Sequence, residues 1–123
     1  FNSAKLADGS HTLTAKAYNT LGATTVSAGV PFIVDNTAPT VGAAESGTSG
    51  TLHFTATASD AVGVTKVAFY VDGVLKAADA SAPYGSYFNS TTLANGSHSL
   101  TAKAYDAAGH VTTSAAVPFS VAN

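Results

Sequence analysis

Residues 88–123 read FNSTTLANGSHSLTAKAYDAAGHVTTSAAVPFSVAN, and residues 1–36 read FNSAKLADGSHTLTAKAYNTLGATTVSAGVPFIVDN. The two stretches align without a gap at an offset of 87, and 23 of the 36 aligned positions are identical. Agreement at a fixed spacing indicates an internal repeat. The chain is therefore predicted to contain the C-terminal half of one repeat at 1–36 and a complete repeat at 37–123.

Alternation of apolar and polar residues predicts β-strands in the complete repeat. Residues 51–60, 64–72 and 97–106 alternate with period two, which places every second side chain on one face of a strand. Asp72-Gly73 is typical of a tight hairpin turn. Further short strands are predicted at 74–77, 84–90 and 111–121. Because no stretch has the 3.6-residue period of a helix, the pattern predicts an all-β, antiparallel sandwich of about seven strands.

Three phrases are similar to the immunoglobulin-like tandem repeats of bacterial secreted and cell-surface proteins. They are ATASDAVGVTKVAFYVDGVLK at 56–76, APY at 82–84 and NGSHSLTAKAYDAAGH at 95–110. The resemblance implies an Ig-like sandwich at 37–123, preceded by the last strands of an identical module. Such repeats serve as spacers in adhesins and beside the catalytic domains of secreted hydrolases. The chain departs from the usual pattern at Phe88-Asn89, where Trp-Asp is common, and at His110, where Asn is common.

Composition argues against several classes of function. The 123 residues contain five lysines, no arginine and seven acidic residues, for a net charge of −2. Nucleic acids and acidic membrane surfaces require clustered cations, so neither is a predicted partner. No apolar run is long enough to cross a membrane. Cysteine is absent, which excludes disulfides, thiolate metal sites and cysteine nucleophiles.

No residue stands in a recognisable catalytic context. The sequence lacks a nucleophile elbow, a zinc-protease helix motif, a P-loop and a dinucleotide fingerprint, which are the local signatures of common enzyme classes. Most of its acidic residues fall at predicted turns. The chain is therefore predicted not to be an enzyme.

Four oxygen-bearing residues are candidate ligands for calcium at one end of the sandwich. Asp35 and Asn36 precede the first strand, and Asp60 and Asp106 follow predicted strands that end at the same pole. Calcium takes six to eight oxygen ligands, and these residues would supply about half of them. The alternative is that the side chains cap turns by accepting backbone N–H bonds. No other cofactor is predicted.

The histidines divide into two pairs. His11 and His98 occupy the same repeat position on an inward face, and each is predicted to bond a backbone carbonyl at a strand corner, as a tyrosine does in related sandwiches. His53 and His110 have no apolar periodicity and are predicted to be solvated.

Aromatic side chains are the candidates for a sugar-binding surface. Tyr70 and Tyr105 are predicted to point outward, toward opposite ends of the sheet because their strands are antiparallel. Tyr84, Tyr87 and Phe88 lie closer together, but aromatics in a short strand usually pack in a core or at an edge.

The half repeat is predicted to expose an apolar interaction face, because the strands on which it should pack are not among residues 1–36. The six residues 34–39 span at most about 20 Å, too short to let residues 1–36 reach across residues 37–87 of the same chain. Interchain strand complementation is one alternative, and a fragment boundary is the other. The residues of this face are Leu13, Ala15, Ala17, Val30, Phe32 and Val34.

The leading functional hypothesis is a structural spacer, stalk or fibre module of a secreted or cell-surface bacterial protein. Its partners would be neighbouring Ig-like repeats or another copy of itself. The alternative is an accessory module that binds polysaccharide or a partner protein.

Overall fold

The computed structural model describes residues 1–123, the whole chain. It consists of β-strands with two single-turn 3-10 helices, Ser3–Lys5 and Ser90–Thr92. The chain divides into two compact units, Phe1–Asn36 and Thr37–Asn123. Every strand pair is antiparallel, which confirms the predicted all-β class.

The first unit contains four short strands. They are β1 (Gly9–Leu13), β2 (Lys16–Tyr18), β3 (Thr24–Val26) and β4 (Val30–Val34). β1 pairs with β4, and β2 pairs with β3. The unit therefore resembles one long interrupted strand, β1 followed by β2, whose partners β4 and β3 return along it.

The second unit contains eight strands in two sheets. One sheet has the order β5-β6-β9, and the other has the order β11-β10-β7-β8, with β12 also paired to β10. Leu100 pairs with both Val71 of β7 and Val117 of β12, so β7 lies along one edge of β10 and β12 along the other. The strands are β5 (Thr40–Ser46), β6 (Thr51–Ser59), β7 (Val64–Val71), β8 (Val74–Asp79), β9 (Tyr84–Asn89), β10 (Gly96–Asp106), β11 (Val111–Thr113) and β12 (Val117–Val121).

The core lies between these two sheets. Alternating residues of β6 and β10 are buried, as the period of two predicts. In β7 the inward Val67, Phe69 and Val71 are buried, and so is Ala68 on the outer face. The Phe54 ring is central, with centroid distances of 6.3 Å to Phe69, 5.7 Å to Phe88 and 5.9 Å to Phe119. The buried cluster consists of Leu52, Phe54, Val67, Phe69, Val71, Tyr84, Leu100, Ala102, Ala104, Phe119 and Val121.

The predicted hairpin at Asp72-Gly73 joins β7 to β8. Both residues have positive φ, 51° for Asp72 and 82° for Gly73. Two successive positive φ values characterise the primed turn that matches the twist of a β-hairpin. Aspartate is among the few side chains that tolerate this conformation, so the local sequence selects the turn.

Two details of the strand prediction are wrong. β5 was not predicted, because its residues are mostly small and of low strand propensity, as in Val41-Gly42-Ala43. Residues 111–121 form two strands, because Ser114 interrupts the ladder. Its hydroxyl accepts the N–H of Ala102 at 2.9 Å, taking the place of a backbone carbonyl.

The chain enters and leaves the second unit at opposite ends. Thr40, at the start of β5, pairs with Ser59 at the end of β6. Asp106, at the end of β10, lies beside the β6–β7 loop that follows Ser59. Val121, the last residue of β12, pairs with Gly96 at the start of β10. The 11 residues of β10 separate the two ends by about 35 Å.

We expect Phe54→Ala to destabilise the second unit by about 3–5 kcal/mol, because it removes a fully buried aromatic ring. Urea unfolding followed by circular dichroism measures the loss. Phe32→Ala, at a partly exposed ring of the first unit, is the control and should cost less than about 1 kcal/mol. Equal losses for the two substitutions would contradict this description of the core.

Candidate functional site

The half repeat has the same local structure as its counterpart 87 residues further on. β1 pairs with β4 in the register of the first half of β10 with β12, and β2 pairs with β3 in the register of the second half of β10 with β11. The Ser27 hydroxyl accepts the N–H of Ala15 at 2.9 Å, as the Ser114 hydroxyl does for Ala102. Residues 1–36 therefore contain the back half of the sandwich with its pairing intact.

An asparagine fastens the end of each copy. The Asn36 side chain donates to the carbonyls of Ser3 and Leu6 at 3.2 Å each, and its backbone N–H donates to Asp8 Oδ1 at 2.7 Å. The amide of Asn36, a predicted calcium ligand, thus has a structural role within its own unit. Asn123 makes the corresponding bonds to Ser90, Leu93 and Asn95.

The predicted interaction face of the half repeat is largely exposed. Leu13 is 59% exposed, whereas Leu100, at the same repeat position, is fully buried. Phe32 is 37% exposed, against 7% for Phe119. Among the other predicted members, the exposed ones are Ala15, Ala17 and Val30. Val34 departs from the prediction, because it is buried, as its counterpart Val121 is. It lies two residues before Asn36, whose hydrogen bonds hold this end of the unit together.

A groove of about 480 Å³ lies on this face. Two of the aromatic residues that line it, Phe1 and Phe32, correspond to Phe88 and Phe119 of the complete repeat, whose rings contact the ring of Phe54. The groove is thus the place that a core phenylalanine fills in a complete sandwich. Its lining residues are Phe1, Leu6, His11, Thr12, Leu13 and Phe32.

His11 and His98 have the structural role that the sequence predicts. Nε2 of His98 lies 2.7 Å from the carbonyl oxygen of Ala94, and Nε2 of His11 lies 2.7 Å from that of Ala7. Each bond ties the start of a strand to the preceding turn, and so confirms the predicted carbonyl partner.

In the complete repeat, a carboxylate completes the surroundings of His98. Its Nδ1 lies 2.6 Å from Asp72 Oδ2, and Asp72 Oδ1 accepts the N–H of Ser99 at 2.9 Å. The bond with the Ala94 carbonyl, and then the bond with Asp72, raises the pKa of His98. The bond with His98, and then the bond with Ser99, lowers the pKa of Asp72. This pair links the β7–β8 turn to the start of β10.

The two predicted calcium ligands of the second unit cap turns. Asp60 Oδ2 accepts two backbone N–H groups of the following loop at 3.0 Å each. Asp106 Oδ1 accepts two backbone N–H bonds at 2.9 Å, and its Oδ2 lies 2.7 Å from Nδ1 of His110. The prediction that His110 is solvated is wrong, because the tight turn brings its ring to the Asp106 carboxylate.

Calcium binding itself stays a prediction. The proposed ligands divide between the units, with Asp35 and Asn36 in the first and Asp60 and Asp106 in the second. Asp60 Oδ1 is buried and accepts no hydrogen bond, and a cation would stabilise an unsatisfied carboxylate oxygen of this kind. Calorimetric titration of the chain with calcium chloride tests whether it binds calcium.

Two tyrosines and two lysines form a cluster on the outer face of the five-stranded sheet. The Tyr70 hydroxyl is hydrogen-bonded to that of Tyr105, and this bond raises the pKa of Tyr70. Lys103 Nζ lies 5.0 Å from the Tyr70 ring centroid, and Lys66 Nζ lies 4.7 Å from that of Tyr105. The register places Tyr70 opposite Thr101 and Tyr105 opposite Lys66, near opposite ends of the β7–β10 ladder, as the sequence predicts.

A stacked pair on the outer face of the three-stranded sheet was missed by sequence reasoning. His53 pairs with Tyr87 across β6 and β9, and their rings are 4.3 Å apart and 9° from parallel. Tyr87 is 73% exposed. His53 is half-buried rather than solvated, because the Tyr87 ring covers one of its faces. Only the β6–β9 register reveals the pair. Tyr84, by contrast, is a core residue.

The family model of the bacterial Ig domain matches residues 33–102, more than half of the chain. The chain belongs to the bacterial Ig domain family. Its structure is also similar to that of the fibronectin(III)-like modules of CbhA from Clostridium thermocellum, with a TM-score of 0.60 and 30% sequence identity. This similarity covers 94% of the chain but 64% of the CbhA chain. No curated protein matches the chain.

Membership of this family confirms the Ig-like fold that the sequence phrases implied. Bacterial Ig domains typically occur in extracellular proteins, and they are generally non-catalytic, as fibronectin(III)-like modules are. The structure contains no helix with the length and apolar character needed to cross a bilayer.

We expect Asp72→Asn to lower the melting temperature more at about pH 5.5 than at about pH 8.5. Because its folded-state pKa is lowered, Asp72 contributes stability that is fully present above its unfolded-state pKa. That stability is lost as the pH falls through the folded-state pKa. Because its folded-state pKa is raised, His98 contributes stability that is fully present below its unfolded-state pKa. That stability is lost as the pH rises through the folded-state pKa. The pair therefore stabilises the folded chain most between the unfolded-state pKa of Asp72 and the unfolded-state pKa of His98.

Asparagine is the suitable replacement, because it tolerates the positive φ of position 72 and keeps an acceptor for the Ser99 N–H. Thermal unfolding across the pH range measures the effect, with His98→Asn as the second variant. An Asp72→Asn deficit that is the same at both pH values would contradict the ion pair.

Proposed function

We propose that this chain is a non-catalytic structural module of an extracellular bacterial protein, repeated in tandem to form a stalk or spacer. One observation carries the proposal: the chain enters the complete sandwich at the end that holds Thr40 and leaves it at the opposite end, after Val121. Modules with this geometry add end to end when they are repeated. The alignment of residues 1–36 with residues 88–123 supports repetition of this module along the chain.

The arrangement of the strands suits a module that bears tension. The first strand, β5, and the last strand, β12, belong to different sheets, so a force between the two ends must shear the packed core before either sheet is unzipped. One backbone bond, from Ala122 N–H to the Thr48 carbonyl at 2.9 Å, ties the end of β12 to the β5–β6 turn. The low charge of the chain, 10% Asp, Glu, Lys and Arg, suits a surface with few partners.

Self-association by interchain strand complementation is the second form of the structural proposal. Residues 1–36 of one chain would pair with residues 37–87 of another. Each chain has two back halves and one front half, however, so every exchange leaves one back half per chain uncovered. Self-association of this kind therefore has little driving force, and sedimentation equilibrium of the 123-residue chain tests it.

We expect tandem chains of one, two and four copies of residues 37–123 to lengthen steadily in solution. Small-angle X-ray scattering should show the maximum dimension increasing by about 35 Å for each added copy, since the entry and exit points lie that far apart. Circular dichroism of each chain is the control for folding. A four-copy chain no longer than the two-copy chain would contradict the spacer function.

The alternative function is polysaccharide binding, and the exposed ring of Tyr87 favours it. One face of this ring is stacked on His53, which holds it at a fixed angle, and the other face is available to the apolar face of a sugar. Neighbouring positions on the outer face of β5 and β6 carry hydroxyl groups, those of Thr40, Thr55, Thr57 and Ser59.

If this surface binds polysaccharide, Tyr87→Ala should weaken the binding by roughly tenfold, the worth of one aromatic stacking contact. Affinity electrophoresis in gels that contain soluble polysaccharides measures the effect. Tyr105→Ala, on the other sheet, is the matched control. Migration of the native chain that no polysaccharide retards would exclude this alternative.

A further inference from the structure

Asn95-Gly96 is the one asparagine–glycine pair in the chain. It lies where the 3-10 helix Ser90–Thr92 leads into β10, and both of its residues are exposed. Because glycine has no side chain, its backbone nitrogen is the least hindered nucleophile that can follow an asparagine. Beyond its chain neighbours, no atom lies within 4 Å of the position that a Gly96 Cβ would occupy. The surroundings of the pair are therefore open.

The two ends of the Asn95 side-chain amide differ in their contacts. Its Oδ1 accepts the backbone N–H of Asn123 at 2.8 Å, whereas its Nδ2 donates no hydrogen bond within the chain. In Asn36 and Asn123, by contrast, the side-chain nitrogen donates to two backbone carbonyls. A donor on Oδ1 stabilises the negative charge that this oxygen gains when a nucleophile adds to the side-chain carbonyl carbon. The arrangement therefore polarises the carbonyl of Asn95 and leaves its amino group unrestrained.

The reaction that this arrangement favours is loss of the side-chain amino group. The Gly96 nitrogen gives up its proton and bonds to Asn95 Cγ, and the Cγ–Nδ2 bond breaks with release of ammonia. The product is a cyclic succinimide. Water then opens the ring at either carbonyl, which leaves aspartate or isoaspartate at position 95. Water is the only other reactant, and the chain gains one negative charge at neutral pH.

The first unit indicates that the fold accepts the aspartate product. Asp8-Gly9 aligns with Asn95-Gly96 at the offset of 87, and the two glycines have φ values of 121° and 123°. Oδ1 of Asp8 accepts the N–H of Asn36 at 2.7 Å, as Oδ1 of Asn95 accepts that of Asn123. An aspartate at position 95 would therefore keep the hydrogen bond that holds this end of the unit.

We propose that Asn95 is a site of spontaneous deamidation in the folded chain, which converts the second unit to the aspartate form that the first unit has at Asp8. Each event adds a negative charge beside the end of β12, because Gly96 pairs with Val121 there. The core is unaffected, since Asn95 is exposed. In tandem modules that contain this pair, negative charge would accumulate with the age of the protein.

Incubation of the 123-residue chain at about pH 8.5 tests the proposal, because base assists removal of the Gly96 proton. An ammonia assay measures the rate, and tandem mass spectrometry locates the product. We expect a mass increase of about 1 Da at Asn95 before any change at another asparagine. The folded chain should release ammonia at least as fast as the urea-unfolded chain, because only the folded chain holds the Asn123 N–H on Oδ1.

Two variants are matched controls. Asp8→Asn places a second asparagine–glycine pair in the same backbone geometry, and it should double the early release of ammonia per chain. Asn95→Asp supplies the product directly and should abolish the early release. Its melting temperature should lie within about 3 °C of that of the native chain, as for an exposed substitution that keeps its hydrogen bond.

Slower release of ammonia from the folded chain than from the unfolded chain would overturn the proposal, because the fold would then protect Asn95. A mass increase that appears first at another asparagine would also overturn it, and so would an Asp8→Asn chain that releases no additional ammonia. A larger loss of melting temperature in Asn95→Asp would show that the fold rejects the product. None of these results bears on the scattering of tandem copies of residues 37–123.

Discussion

The inward face of the long strand β10 must be covered by a second sheet, and the rest of the structure depends on this constraint. Leu100, Ala102 and Ala104 have no exposed surface, and the two small alanines let the rings of Phe54 and Phe69 approach the strand closely. Apolar burial of this kind is the main favourable term in folding. The complete repeat satisfies it with the opposite sheet, β5, β6 and β9, whereas residues 1–36 have the equivalent strands and pairing without a second sheet.

Much of the fold follows from local sequence, and the parts that do not are those set by tertiary register. Period-two alternation locates β6, β7 and β10, and Asp72-Gly73 locates the hairpin between β7 and β8. β5 escapes because glycine and alanine give it no strand signature, although its partner β6 holds it in the sheet. The interaction between Tyr70 and Tyr105 depends on the register of β10 with β7, which no local sequence pattern encodes.

The candidate site residues show the same division. Asp60 and Asp106 follow strands and cap turns, a role that aspartate at such positions predicts from its own chemistry. The carbonyl bond of His98 is local as well, since Ala94 is four residues away. Its bond with Asp72 is not local, because 26 residues separate the two. The ion pair between Asp72, in residues 37–87, and His98, in residues 88–123, can therefore be found only once the strands are assembled.

The short connection between the units has a consequence for biosynthesis. Residues 1–36 have nearly the same core side chains as residues 88–123 and leave the ribosome before them, so both segments fit the surface of residues 37–87. A long, flexible connection would let the earlier segment capture residues 37–87 first and strand the later one, the misassembly to which neighbouring identical repeats are prone. Residues 34–39 span at most about 20 Å, against a sandwich about 35 Å long. The length of the connection therefore acts as a kinetic safeguard, reserving residues 37–87 for the segment that follows them.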